Sequence, residues 1–214
     1  MKLAAAGTTL LTLVANTAWC HDEPGRRAAP PDKPGWEFAL TAYPTQVRDA
    51  GGTTTSVIGA ADRGALHLET RYGYEAKDAR SVFAGWTFSG GEAIKWEVTP
   101  LVGAGWGPVR AFIPGVEASV TWGRFDFYIE GELVRDRRNS GDNYNYAWSE
   151  LGFHATEWLR VGAVGQRTRL YGGERDFQRG PFVQATFGRA TLGGYWFNPG
   201  SRDEVVVASI GVSF

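Results

Sequence analysis

The sequence has few of the residues on which several classes of protein depend. Its 214 residues include a single cysteine, Cys20, so no internal disulfide and no cluster of thiolate ligands can form. The formal net charge is −1, which excludes the basic surface typical of nucleic-acid-binding proteins, and we expect no nucleic-acid partner. No stretch reaches the roughly 18 apolar residues that a membrane-spanning helix needs. Any segment that crosses a membrane must therefore be a strand.

Glycine and aromatic residues are abundant instead. The chain contains 29 Gly, 9 Trp, 8 Tyr and 12 Phe beside one Met. Because long all-β folds commonly keep a chain of this length in one unit, we expect a single folded domain.

The first 18 residues resemble a secretory signal peptide. Lys2 supplies the basic start, residues 10–14 the short apolar centre and residues 15–18 the small-residue exit. Cleavage there leaves Cys20 near the mature N-terminus, so lipid attachment at Cys20 is an alternative. Residues 19–34 are rich in proline and charge, and we expect them to form a periplasmic tail with no packed core.

From residue 35 to residue 214 the apolar residues alternate with polar ones, as they do in strands with two different faces. Pro114 and some basic residues blur the alternation in two segments, so ten or fourteen strands are alternatives to twelve. The alternation is clear where Phe125, Phe127, Ile129 and Leu133 are interleaved with Asp126, Tyr128, Glu130 and Glu132. Twelve strands are predicted, near residues 35–46, 52–61, 64–76, 79–89, 92–104, 108–121, 123–135, 143–155, 157–169, 175–187, 188–198 and 203–214.

The connections between these segments alternate in length. Tight turns such as those at Gly123 and Gly188 alternate with longer links such as residues 137–143. This asymmetry is typical of an antiparallel up-and-down transmembrane β-barrel with both termini in the periplasm. Aromatic rings favour the bilayer interface, and seven of them fall at the predicted periplasmic strand ends. They are Trp36, Phe88, Trp122, Phe125, Trp158, Phe187 and Phe214.

The last ten residues, VVVASIGVSF, end in phenylalanine and carry apolar residues at alternate positions. This segment resembles the C-terminal signature of bacterial outer-membrane β-barrel proteins. In that family the segment is the address that the barrel-insertion machinery reads. The resemblance implies a small porin-like barrel in the outer membrane of a Gram-negative bacterium. The predicted assembly signal comprises Val206, Ala208, Ile210, Val212 and Phe214.

If the apolar face points to lipid, the polar face lines the lumen. Apart from two histidines, this predicted lining has seven acids and three bases, and rings of carboxylates favour cations. We therefore expect a narrow channel for small polar or cationic solutes. The alternative is a structural or lipopolysaccharide-interacting barrel whose lumen is closed by salt bridges. The predicted lining is His67, Glu69, Arg71, Lys95, Glu97, Glu117, Asp126, Glu130, Glu132, Glu150, His154 and Arg160.

Arginines gather near the predicted outer rim of the barrel. Arg167 and Arg169 fall on the lipid-facing side of their strand, where guanidinium groups can pair with lipopolysaccharide phosphates. The alternative is ordinary surface charge paired with Glu174, Asp176 and Asp136. The predicted rim comprises Arg135, Arg137, Arg138, Arg167, Arg169, Arg175 and Arg179.

No catalytic site, metal or cofactor is predicted. His67 and His154 fall at predicted periplasmic strand ends, whereas barrel enzymes that modify lipids act near the outer leaflet. Ser149 and His154 differ in parity and so face opposite sides of a strand. A lipid-modifying enzyme is therefore the least favoured alternative. His67 with Glu69 offers only two metal ligands, and the sequence shows no third.

Overall fold

The structure is a computed structural model that describes residues 34–47, 53–170 and 175–214. The predicted signal peptide, Cys20 and nearly all of the predicted tail lie outside the described residues. Glu174, in the connection 171–174, also lies outside them. Among the described residues, no helix is long and apolar enough to cross a membrane.

The described residues form strands joined by turns, with one short 3-10 helix, Ser140–Asp142, before the ninth strand. The strands are β1 (Glu37–Val47), β2 (Thr53–Arg63), β3 (Leu66–Tyr72), β4 (Arg80–Trp86), β5 (Phe88–Gly90), β6 (Ile94–Trp106), β7 (Ala111–Trp122), β8 (Phe125–Asp136), β9 (Tyr144–His154), β10 (Leu159–Leu170), β11 (Arg175–Phe187), β12 (Ala190–Phe197) and β13 (Val205–Ser213).

Strand pairing closes the sheet on itself. Consecutive strands pair antiparallel around the wall, and β1 pairs with β13. β4 and β5 both pair with β6, so they share one position in the wall. The result is a closed barrel with twelve strand positions, which confirms the predicted all-β antiparallel barrel.

The one predicted segment near 79–89 is divided at Thr87. The backbone N–H of Thr87 donates to the carbonyl oxygen of Ala65, 2.8 Å away, in the turn between β2 and β3. β3 begins at Leu66, which pairs with Trp86, so no residue of β3 lies beside β5. Among the described strands, β5 therefore pairs only with β6. The loss of one neighbour explains why the ladder is interrupted there.

β1 begins and β13 finishes at the same end of the barrel, here termed the terminus end. Phe38 and Phe214 exchange backbone hydrogen bonds of 2.8 and 2.9 Å. Gly123 and Gly188 adopt φ of +59° and +60°, the left-handed conformation that two-residue hairpin turns require. The terminus end therefore has short turns. The opposite end, termed the loop end, has longer connections, including residues 73–79, 137–143 and 198–204.

The outer surface of the barrel is apolar. On β13 the side chains of Val206 and Ile210 are exposed, whereas Val205 and Val207 are buried inside. Rings at the terminus end stack in pairs, as Trp158 does on Phe187 with centroids 5.7 Å apart. The seven aromatic residues predicted for periplasmic strand ends are all exposed. Such a surface suits contact with hydrocarbon and its interface.

Candidate functional site in the barrel interior

Strand alternation turns a polar face toward the inside of the barrel. On β6, Lys95 and Glu97 are exposed, but Thr99 and Leu101, at the same parity farther along, are buried inside. The inward-facing positions of β6 are therefore exposed near the terminus end and buried farther along the strand. Among the other residues of the predicted lining, Glu117, Asp126 and His154 are half-buried. The remainder are buried, namely His67, Glu69, Arg71, Glu130, Glu132, Glu150 and Arg160.

Arg71 on β3 is the centre of a buried ionic cluster. Its Nη1 donates to Glu132 Oε1 at 2.6 Å, and its Nη2 lies 3.2 Å from Glu130 Oε1. Its Nε donates to Glu69, and Glu117 Oε1 lies 4.0 Å from Nη2. These five residues are termed the Arg71 cluster. Because β4, β6 and β7 separate β3 from β8 in the wall, these bonds cross the interior.

The Arg71 cluster has a surplus of negative charge. Four carboxyl groups surround one guanidinium, and the side chains of Glu130 and Glu132 are at most 1% exposed. The Oε2 atoms of Glu130 and Glu132 are buried and have no hydrogen-bond partner within the described part of the chain. Unpaired buried charge is costly, so this arrangement favours uptake of a proton or a cation.

Aromatic rings enclose the guanidinium of Arg71. Its central carbon lies 4.2 Å from the ring centroids of both Tyr74 and Phe83, which is cation–π distance. Tyr74 also donates from its hydroxyl to Glu130 Oε1 at 3.1 Å. Gly103 on β6 makes room for Phe83, since a Cβ at that position would overlap the ring. The rings and carboxylates together hold the arginine in one position.

The connection 73–79 folds into the loop end of the barrel. It carries Tyr74 and Glu75, both of which are buried. The hydroxyl of Ser81 donates to Glu75, and the hydroxyl of Tyr144 donates to the Glu75 carbonyl oxygen at 3.3 Å. Burial raises the pKa of Glu75. This connection therefore covers the Arg71 cluster from the loop end.

A second ionic cluster surrounds Arg160 on β10. Arg160 Nη1 donates to Glu150 Oε2 at 2.6 Å and to Gln184 Oε1 at 2.7 Å, and Nε donates to Asp126 Oδ2 at 3.0 Å. Gln184 in turn donates to the hydroxyl of Tyr195 at 2.7 Å. One guanidinium here faces two carboxylates, so this cluster is closer to neutral than the first.

Large side chains fill the interior beside these clusters. Trp148 packs edge to face against Tyr195 and Phe197, with centroid separations of 5.6 and 5.5 Å. Trp148, Phe197 and Tyr43 have no exposed surface, and neither does Val207. These four side chains therefore have no contact with water.

The two strand histidines each contact an aspartate. His67 Nδ1 lies 2.7 Å from Asp62 Oδ1, and His154 Nε2 lies 3.0 Å from Asp126 Oδ2. His67 pairs directly with Asp62 across β2 and β3, close to the terminus end. Both contacts lie on the inward-facing side of the sheet.

Arginines of the predicted rim lie on the outer wall at the loop end. Arg167 and Arg169 are exposed and pair in register with Ala147 and Asn145. Arg135 Nη1 donates to Asn145 Oδ1 at 3.3 Å. Arg167 and Arg169 border a recess of about 150 Å³, which Asn145, Tyr146 and Ala147 also line.

The other predicted rim arginines lie nearby. Arg137, Arg138 and Arg179 are exposed, and the backbone of Arg175 pairs with Arg169. Asp136 accepts hydrogen bonds from the backbone N–H groups of Arg138, Asn139 and Arg110, at 2.7, 3.0 and 3.2 Å. The carboxylate of Asp136 therefore accepts from backbone N–H groups. Among the described ion pairs, none joins a rim arginine to an acid.

The residues of the predicted assembly signal share the outer face of β13. Phe214 follows that strand and stacks on Phe38, with centroids 5.9 Å apart. All five are exposed, namely Val206, Ala208, Ile210, Val212 and Phe214.

Several interior residues were not predicted from the sequence. Tyr146 and Trp148 have the same parity as Glu150, so the alternation could have identified them. Asp62 could have been found in the same way, because its strand alternates too. Tyr74 and Glu75 carried no such signal, because a connection has no fixed side-chain period.

Neither protein-family models nor curated protein sequences match the chain. Solved structures do match. The NanC porin has a TM-score of 0.64 at 11% identity, over 82% of this chain and 98% of that chain. The KdgM porin has a TM-score of 0.58 at 7% identity, over the same shares. A structure of KdgM in complex with disordered oligogalacturonate has a TM-score of 0.57 at 7% identity, over 83% and 98%. At such identities the likeness is one of fold, and the chain therefore has the β-barrel fold of these outer-membrane porins.

Proposed function

We propose that the protein is a porin-type barrel of the bacterial outer membrane that admits small cationic or polar solutes and closes at the Arg71 cluster. The observation that carries this proposal is the surplus of carboxyl groups inside the barrel. Inward-facing carboxylates attract cations and replace part of their hydration shell, as rings of acids do in cation pathways.

The pathway begins at the terminus end, where Lys95 and Glu97 are exposed. Farther in, Glu117 is half-buried, and the Arg71 side chain, 4.0 Å from it, would then block the proposed pathway. Opening requires Arg71 to leave Glu132 and Tyr74 to leave Glu130. Because Tyr74 belongs to the connection 73–79, a movement of this connection would release its contact with Glu130, and Arg71, which is on β3, would then leave Glu132 by a change of rotamer.

The apolar outer face supports a position within the outer membrane. By the same argument the terminus end, with its short turns and stacked rings, lies in the periplasm, and the loop end lies outside the cell. The insertion machinery would read β13 and Phe214 as the assembly signal. The tail of residues 19–34 would then also lie in the periplasm.

The rim arginines support a lipopolysaccharide contact in addition. Arg135, Arg167 and Arg169 lie close together at the loop end, and Arg167 and Arg169 line the recess beside Asn145. A charge facing lipid costs little near the interface, and bidentate pairing with phosphate makes it favourable.

A structural barrel with a permanently closed lumen is the second candidate function. The observation that favours it is the packing of Trp148 against Phe197, both of which are fully buried. Such packing resembles the side-chain-filled interior of smaller barrels rather than an aqueous channel.

Single-channel recording in planar bilayers distinguishes the two candidates. We expect the wild-type barrel to open briefly, with reversal potentials in a salt gradient that show a preference for cations. Tyr74→Ala should open more often, because it removes a contact that holds the connection 73–79 in place. Arg135→Ala, on the outer wall, serves as the matched control and should behave as wild type. Silence from a folded wild type and a folded Tyr74→Ala would support the structural barrel, and anion preference would contradict the proposed pathway.

A further inference from the structure

The structure brings a third potential ligand to His67 and Glu69. One ligand atom from each of His67, Glu69 and Glu117 lies within 4.8 Å of the other two. His67 and Glu69 are on β3, whereas Glu117 is on β7, with β4 and β6 between them in the wall. We propose that these three residues form a binding site for a divalent transition metal, with Zn²⁺ as the best match.

The histidine is oriented as a metal ligand. Its Nδ1 lies 2.7 Å from Asp62 Oδ1, and in the neutral tautomer that donates this bond from Nδ1–H, Nε2 carries the lone pair. A carboxylate behind a histidine in this way fixes the tautomer and the ring orientation in metal sites. Asp62 would then be a positioning residue for the site.

The Nε2 atom of His67 lacks a partner in the described part of the barrel. It is buried and has no hydrogen-bond partner among residues 34–47, 53–170 and 175–214, and His67 as a whole is only 9% exposed. Buried polar atoms in proteins are almost always satisfied. Glu117 Oε1 is buried without a hydrogen bond as well. In the tautomer that donates from Nδ1–H, two buried acceptors from strands three positions apart in the wall lack a partner among the described residues, which a bound cation would supply.

The local charge favours a cation despite the nearby arginine. Arg71 Nη2 lies 4.0 Å from Glu117 Oε1 but 3.2 Å from Glu130 Oε1, and Nη1 binds Glu132 at 2.6 Å. Four carboxyl groups face this single guanidinium, so a divalent cation would reduce the excess of negative charge. The metal would also give Glu69 and Glu117 a shared partner in place of mutual repulsion.

The donor set selects the class of metal. Imidazole nitrogen suits zinc and its neighbours, whereas magnesium and calcium prefer oxygen ligands alone. A histidine with two carboxylates leaves a fourth tetrahedral position for water or solute. Bonds of about 2.0–2.2 Å require the three ligand atoms to approach to roughly 3.4 Å. Rotamer adjustments of the two glutamates supply that movement.

The site is reached from the terminus end. Side-chain exposure falls from 33% at Asp62 to 11% at His67, 5% at Glu69 and 0% at Arg71. The metal would therefore lie where the open vestibule at the terminus end meets the closed Arg71 cluster. This proposal does not depend on conduction, because a permanently closed barrel would offer the same three ligands.

Zinc binding to the full chain without a polyhistidine tag, refolded in detergent, tests the site. Isothermal titration calorimetry should give one Zn²⁺ per barrel, and Zn²⁺ should raise the unfolding temperature, because binding to the folded state alone stabilises it. His67→Gln and Glu117→Gln should each weaken binding at least about 10-fold, and Asp62→Asn should weaken it by about 10- to 100-fold. His154→Gln is the matched control, since His154 also contacts an aspartate but lies outside the cluster, and it should bind as wild type.

Three outcomes would overturn the proposal. One is the absence of stoichiometric Zn²⁺ binding to the folded wild type, with folding verified by circular dichroism. Another is one-to-one binding that survives both His67→Gln and Glu117→Gln, which would place the metal elsewhere, such as at His21. The third is Mg²⁺ binding of equal strength, which would indicate attraction to carboxylates without an imidazole ligand. Because Glu117→Gln keeps its side-chain volume, the test does not depend on one variant folding.

Discussion

Arg71 Nη1 on β3 and Glu132 Oε1 on β8 form a hydrogen bond of 2.6 Å across the inside of the barrel. They are 61 positions apart in the chain, and both side chains are at most 1% exposed. This bond joins two parts of the wall that share no backbone hydrogen bonds. It therefore braces the barrel and closes its interior at the same point.

Replacing Arg71 should destabilise the folded barrel strongly. We expect Arg71→Met to lower the free energy of unfolding by about 3–5 kcal/mol, because it leaves buried carboxylates without their cation. Adding Glu130→Gln and Glu132→Gln to this variant should recover part of the loss, because two of the four uncompensated carboxylates are then neutral. Urea unfolding in lipid vesicles, followed by tryptophan fluorescence, measures both effects.

Arg135→Ala provides the control for this measurement. Arg135 lies on the outer wall and donates one hydrogen bond to Asn145, so its loss should cost less than about 1 kcal/mol. Equal losses for Arg71→Met and Arg135→Ala would show that the Arg71 cluster contributes little to stability.

Reversing the charge of the rim arginines should weaken a lipopolysaccharide contact. We expect the double variant Arg167→Glu with Arg169→Glu to co-purify with less lipopolysaccharide, because its carboxylates repel phosphate. Its unfolding temperature should fall more in bilayers that contain lipopolysaccharide than in plain phospholipid. Arg189→Glu, in a turn at the terminus end, is the control and should lose no lipopolysaccharide. Equal thermal losses in both bilayers would assign the two arginines to the barrel itself.

Cysteine labelling should reveal the orientation of the barrel. In a Cys20→Ser background, Ser140→Cys in the connection 137–143 should react with an impermeant maleimide on intact cells. Thr156→Cys, in a turn at the terminus end, should react only after the outer membrane is opened, because short turns face the periplasm. Labelling of Thr156→Cys alone in intact cells would invert the proposed orientation.

Deleting Phe214 should reduce assembly. Its backbone pairs with Phe38 and its ring stacks on the Phe38 ring, so the deletion weakens the closure of β1 on β13 as well as the predicted assembly signal. We expect less protease-resistant barrel in outer-membrane fractions and more degraded precursor. Phe187→Ala, which removes another exposed ring at the terminus end, should assemble nearly normally. Normal assembly without Phe214 would contradict its predicted role.

The barrel could be predicted from the sequence because its signals are local. Period-two alternation on β8, from Phe125 to Glu132, follows from strand geometry alone. Turn glycines such as Gly123 and Gly188 mark hairpins without reference to the rest of the chain. Val206 and Ile210 lie at alternate positions with other apolar residues, and this pattern predicted which face of β13 points outward. These features depend only on residues close together in sequence, which is why the twelve strand positions could be predicted.

The contacts inside the barrel were decided by its closure. Which side chains meet across the interior depends on the tilt and stagger of all the strands, and no local period reports these quantities. The proximity of Glu117 to His67 and Glu69 could therefore not be predicted from the sequence. The same holds for the bond between Arg71 and Glu132. The inward path of the connection 73–79, with Tyr74 over Arg71, likewise has no period that predicts it. A barrel with a predicted acidic lining followed from local sequence patterns, whereas the positions where its charges meet depended on the tertiary structure, because those contacts join residues distant in the chain.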